Sequence, residues 1–232
     1  MERPAVRWGL GDFFWVYFGG IVAGLVLATV GFAITGDTGS SPGALTEGLS
    51  FVGQFGGWIG LLVLVSKRKG RGSLAADFGF VVHVRDAWVI AVGVVLEIGL
   101  TILVLPLVDL SGNQHQGVVE DLRNSSGAKL ALIALVAGLV APVCEELLFR
   151  GLLLRALRRR VSPVAAVAIS ALVFALAHPF LDPTIGTMAV VPALFGLGAI
   201  SGVVALRKGD LSMSIFLHIG FNLLTTVFAL HK

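Results

Sequence analysis

Residues 129–150 read KLALIALVAGLVAPVCEELLFR. After Lys129 no charged side chain occurs until Glu145 and Glu146, and Arg150 follows one helical turn later. An apolar helix of ~20 residues is long enough to cross the hydrocarbon of a bilayer. This run continues toward Leu157 and ends among Arg155, Arg158, Arg159 and Arg160. An ionisable group near the middle of such a span costs at least ~2.5–3.5 kcal/mol. Two carboxylates and a guanidinium kept there are expected to have a use.

The rest of the chain has the same character. Of its 232 residues, 56% are hydrophobic and only 13% charged, against about 25% charged in a soluble domain, and mean hydropathy is +0.93. The fold class is all-α: a polytopic transmembrane helix bundle, read as a single membrane domain over 1–232. Thirty glycines suit close helix packing in lipid. The spans read Phe13–Thr35, Leu45–Ser66, Ala87–Val108, Lys129–Leu157, Pro163–Phe180, Ile185–Leu206 and Leu211–Leu230. That makes seven, or eight if Pro192 splits the sixth. The first apolar run is longer than a signal-peptide core and reads as a retained span. Phe13, Phe14, Trp15, Tyr17, Phe18 and Trp88 read as interface anchors.

Loop charge sets an expected orientation. Lys67, Arg68, Lys69 and Arg71 follow the second span, Arg155–Arg160 the fourth, and Arg207 and Lys208 the sixth. The alternate loops carry Asp37, Asp109, Glu120, Asp121 and Asp182 instead. By the positive-inside rule, this places the protein in the cytoplasmic membrane with its N-terminus cytoplasmic and its C-terminus outside. The net charge of +3 sits in these short clusters, so no nucleic-acid partner is expected. A single Cys144 excludes an internal disulfide and a Cys-based zinc site, and its apolar setting disfavours the thiolate. The connector 109–128, with Asn113, Gln114, His115 and Gln116, holds no motif with a mechanism. His83 and His231 lie outside the spans, and Glu97 is a lone acid in the third.

Two more spans carry polar groups: Phe174 and His178 in the fifth, His218 and Asn222 in the seventh. At ~1.5 Å per residue, Glu145 lies roughly 20 Å from Arg158, His178 roughly 24 Å from Ser162, and His218 roughly 12 Å from Asp210. All three therefore reach the membrane interior. Residues four apart share a helix face, so Glu146 can pair with Arg150 while Glu145 points about 100° away, toward a cavity. The set has the parts of a hydrolytic site. Glu145 is a carboxylate able to take a proton from water. His178 is an imidazole able to orient that water. His218 and Asn222 supply donors for an oxyanion. Glu146, Arg150 and Phe174 read as structural support. The alternative is a divalent metal such as zinc held by Glu145, His178 and His218, with water in the fourth position.

These residues resemble the CPBP family, which groups type II CAAX prenyl endopeptidases with bacteriocin-processing and self-immunity (Abi) membrane proteins. Its motif E-E-x-x-x-R matches Glu145, Glu146 and Arg150; F-x-x-x-H matches Phe174 and His178; H-x-x-x-N matches His218 and Asn222. The resemblance covers about residues 140–225, within a motif-bearing core of about 129–230. It implies an intramembrane endopeptidase in which the first Glu and the His of the second motif activate water, and the His and Asn of the third stabilise the oxyanion. The family is often labelled metalloprotease. The expected substrate is a membrane-embedded or lipid-modified peptide, met within the lipid bilayer. The rival readings are a proton-coupled transporter, for which the chain lacks the two similar halves, and a non-catalytic immunity or scaffold protein.

Overall fold

The computed structural model describes residues 6–37, 42–110, 117–181 and 184–230, with backbone alone at 228–230. Every regular element among them is helical. The long helices are α1 (Leu10–Thr35), α2 (Ala44–Lys69), α4 (Val89–Leu110), α6 (Gly127–Arg158), α7 (Pro163–Leu181), α9 (Val191–Lys208) and α10 (Ser212–Leu230). Short helices α3 (Leu74–Phe78), α5 (Gly117–Asn124) and α8 (Ile185–Ala189) lie between them. Among the described residues, six helices are long and apolar enough to cross a membrane, and α10 adds a shorter apolar stretch, Ser212–Val227. The readings at Asp182, at Asn113, Gln114, His115 and Gln116, and at His231 lie outside the described residues.

Pro192 does divide the sixth region. The chain turns at Val190, and the proline occupies the first turn of α9, where its missing N–H leaves no bond unmade. The preceding piece, α8, has 5 residues. At ~1.5 Å per residue it is far too short to cross, so the split adds no span.

Packing explains the glycine content. A Cβ on Gly53 would sit 2.4 Å from the Ala23 carbonyl oxygen, and so α2 lies directly on the backbone of α1. Gly93 of α4 and Gly220 of α10 face each other's helices in the same way: a Cβ on either would fall 2.1 Å from a carbonyl oxygen, of Leu217 or Ile90. Without a water-driven hydrophobic force inside lipid, such close approach supplies the attraction. Helix α6 is the axis, with 44% of its apolar window buried against 17% for α1. Residues 146–154 are all buried.

Helix α6 is not a regular α-helix. Val136–Val140 and Glu146–Leu154 are wound as π-helix. Pro142 accounts for the first, since a proline ring collides with the carbonyl four residues back and a wider turn relieves it. In that wider register Ala141 N–H bonds the Val136 carbonyl. The next carbonyl, that of Ala137, would then need an N–H from residue 142, which is proline. Asn222 supplies one instead, its Nδ2 donating to the Ala137 oxygen at 2.8 Å.

The basic segments gather at one end of the bundle. Arg7 donates to the Arg68 carbonyl at 3.1 Å and Arg155 to that of Gly209 at 2.7 Å. Arg159 bonds the Trp8 carbonyl and lies over its ring, 4.0 Å from the centroid. Lys129 and Glu47 pair at the opposite end, 3.5 Å apart. In the nearby α1–α2 loop, Asp37 accepts from the Thr46 hydroxyl (2.7 Å) and Gly43 N–H (2.8 Å), and these bonds hold its carboxyl below the usual range.

One sequence reading is corrected here. Phe14, Trp15, Phe18 and Trp88 are exposed as expected of interface anchors, but Phe13 and Tyr17 are buried in the core. They lie four residues apart on the inward face of α1, where both rings pack edge-on against Phe149 and Tyr17 also stacks on Trp58. Their clustering with lipid-facing aromatics hid this inward face.

Candidate active site

Helices α6, α7 and α10 bring their polar residues together. His218 stands between the two glutamates: Nδ1 is 3.0 Å from Glu146 Oε1, and Nε2 is 3.7 Å from Glu145 Oε2. Glu146 Oε1 also lies 3.1 Å from Arg150 Nη1. Glu146, Arg150 and His218 are buried, whereas the Glu145 side chain keeps 17% of its exposure. The adjacent carboxylates thus point to different places. Glu146 faces inward and joins α10 to α6; Glu145 faces a cavity.

That cavity has a volume of about 420 Å³. Glu145 and His178 line it, with Tyr17, Trp58 and Phe149 around them. Its lining continues to Glu47 of α2 and Gly117 and Asp121 of α5. Because Glu47 pairs with Lys129, the cavity leads toward the end of the bundle away from the arginine-rich loops. His218 and Asn222 are not among its lining residues.

His178 is oriented by its own helix. Its Nδ1 is 2.9 Å from the Phe174 carbonyl oxygen. A carbonyl only accepts, so Nδ1 carries the proton and Nε2 keeps its lone pair for other partners. Phe174 is fully buried and acts as a wedge between the groups. Its ring meets His178 at 4.9 Å and His218 at 5.5 Å, both edge-on, and the Arg150 guanidinium lies over it at 4.3 Å from the centroid. A cation over a ring face is favourable, and it is worth most where water is excluded.

Three features lie beyond the sequence reading. Tyr17 turns inward; its hydroxyl is buried with no hydrogen-bond partner among the described residues and lies within electrostatic reach of Glu145. The available signal was its spacing of four from Phe13, which places both on one face. Glu146 contacts a catalytic-candidate histidine as well as Arg150, a contact across 72 residues of sequence with no local signature. Glu97, left without a role, receives the Thr225 hydroxyl and joins α4 to α10.

Among the described residues, no group of three or more His, Cys, Asp or Glu is placed to hold a metal ion. The set of Glu145, His178 and His218 considered for zinc is not such a group, although Glu146 at His218 Nδ1 leaves the Nε2 facing Glu145 at 3.7 Å.

Residues 127–224 match the family described as Rce1-like, type II CAAX prenyl endopeptidase. The matched region contains all seven residues of the three motifs and lies on α6 to α10. No curated protein and no solved structure matches the chain.

Proposed function

We propose that this integral membrane protein, whose residues 127–224 match the type II CAAX prenyl endopeptidase family, cleaves a membrane-associated peptide with water activated by Glu145. The observation that carries the proposal is that Glu145 and His178, from different helices, line one cavity while Glu146 is held behind it. Glu145 takes a proton from water as the water oxygen bonds to the scissile carbonyl carbon. His178, with Nε2 free to accept, orients that water. The C–N bond breaks as the leaving nitrogen receives the proton, and the carboxylate is restored.

His218 steadies Glu145 from behind. Its Nδ1 lies within hydrogen-bond distance of Glu146 at 3.0 Å, its Nε2 reaches Glu145 as a 3.7 Å electrostatic contact, and Glu146 with Arg150 fixes where it stands. The expected oxyanion donors, His218 and Asn222, are absent from the cavity lining, and Asn222 donates to Ala137. Tyr17 and Thr187 are the hydroxyl-bearing residues of the cavity wall, and the Tyr17 hydroxyl is buried with its hydrogen bond unmade. It is therefore the better-placed donor for the tetrahedral oxyanion. The route contains no step through a metal.

A mainly apolar cavity inside a bundle suits a peptide whose end is apolar or lipid-modified. An N-terminus on the cytoplasmic side, as the basic loops suggest, puts the cavity mouth on the opposite face. The test is to compare small membrane peptides in cells carrying wild-type or Glu145→Gln protein. A peptide that accumulates uncut only with the variant supports the proposal; identical peptide profiles in expressing cells speak against it.

A further inference from the structure

A second cavity, of about 480 Å³, opens at the basic end of the bundle between the end of α6, the start of α7 and the end of α9. Arg150, Arg155, Arg158 and Arg207 line it with Leu154, Pro163, Ala205, Leu206 and Gly209, and no carboxylate contributes to its wall. Arg155 donates to the Gly209 carbonyl and Arg158 to that of Val161 at 2.9 Å. Each is thereby pinned by a neutral acceptor. The acids near these arginines lie outside the wall: Glu146 is 3.1 Å from Arg150, and Asp210 acts on Arg155 and lies 3.8 Å from His83. Arg158 and Arg207 face the same space with no acid in its wall, so a bound anion would offset their mutual repulsion.

The inner end of the cavity makes the same point independently. Arg150 is 1% exposed, and its Nε, Nη1 and Nη2 have no hydrogen-bond partner among the described residues. Its approach to Glu146 is an ion pair without hydrogen-bond geometry. Gly198 leaves room for it; a Cβ there would lie 3.2 Å from Nη2. Buried donors of this kind are almost always satisfied. A guanidinium fork matches the oxygens of a phosphate.

We propose that this cavity binds a phosphate group. The group comes from either of two sources, the headgroup of an anionic phospholipid or free phosphate. The site lies where α6 and α9 end, the depth of a headgroup, and Leu154, Pro163 and Leu206 give an apolar wall along which a glycerol and acyl chain can run. Basic pockets between helix ends attract anionic headgroups for these reasons. The site is separate from the peptidase cavity and does not depend on the chemistry proposed there.

The test uses the full chain in detergent, with native mass spectrometry and thermal shift as readouts. Three additives are compared: phosphatidylglycerol, phosphatidylcholine and inorganic phosphate. The variants are Arg207→Gln and the double variant Arg158→Gln with Arg207→Gln, each checked for a wild-type size-exclusion profile. Retention of phosphatidylglycerol over phosphatidylcholine, weakened roughly tenfold or more in the double variant, supports a lipid source. Stabilisation by inorganic phosphate that the double variant loses supports free phosphate. The single Arg207→Gln protein, altered only at an exposed position, should show part of the same loss and covers the case of a misfolded double variant. No binding of either, or binding unchanged in well-folded variants, overturns the proposal.

Discussion

At the scale of single residues, the cluster works by pairing each buried charge. Arg150 neutralises Glu146, and Glu146 in turn holds His218. Breaking one side of a buried pair leaves an uncompensated charge, with a typical cost of ~3–5 kcal/mol. Arg150→Met is therefore expected to lower thermal stability sharply, and adding Glu146→Gln should restore part of the loss; unfolding in detergent measures both. An Arg150→Met protein as stable as wild type would show that the pair carries no such burden. Tyr17 offers a cleaner change, since phenylalanine keeps the stack on Trp58 and removes only the hydroxyl. Tyr17→Phe should lower kcat by about 10²–10³, the usual effect of losing an oxyanion donor, with KM little changed. A drop in stability without a drop in kcat would assign the hydroxyl to packing.

At the scale of elements, α6 shows what sequence could and could not disclose. Its length, its apolar run and the divergent facing of Glu145 and Glu146, about 100° apart, were legible from composition and helical period. The two π-wound segments were not; the first arises from how Pro142 is accommodated once α10 lies alongside. Asn222 illustrates the consequence. Spacing placed it on one face with His218, but the direction of its amide depends on a carbonyl left without a donor in another helix. This has a testable form. Asn222→Ala should cost about 1 kcal/mol, the typical worth of a hydrogen bond. In a Pro142→Ala background, where the backbone can supply its own N–H, the same change should cost clearly less. Equal costs in a double-mutant cycle would break the link between the proline and the asparagine.

At the scale of the whole molecule, the helix bundle was legible because a bilayer demands ~20-residue apolar runs, and loop charge gave an expected orientation. Tyr17 was misread for the same reason: in a helix rich in lipid-facing aromatics, inward and outward rings differ only by helical phase. Orientation now bears on function, because the peptidase cavity leads away from the basic loops. In a Cys144→Ser background, Glu120→Cys beside the cavity mouth should react with a membrane-impermeant maleimide in intact cells. Arg71→Cys should react only after permeabilisation. Both positions are exposed. The reverse pattern would turn the cavity toward the cytoplasm.

The central claim is that the Glu145 carboxylate activates the attacking water. Its most direct test is the rate of peptide hydrolysis by purified, reconstituted Glu145→Gln protein beside wild type, both shown to fold. Glutamine keeps the shape and removes the base, so the rate should fall by roughly 10²–10⁴. Hydrolysis at the wild-type rate would contradict the account.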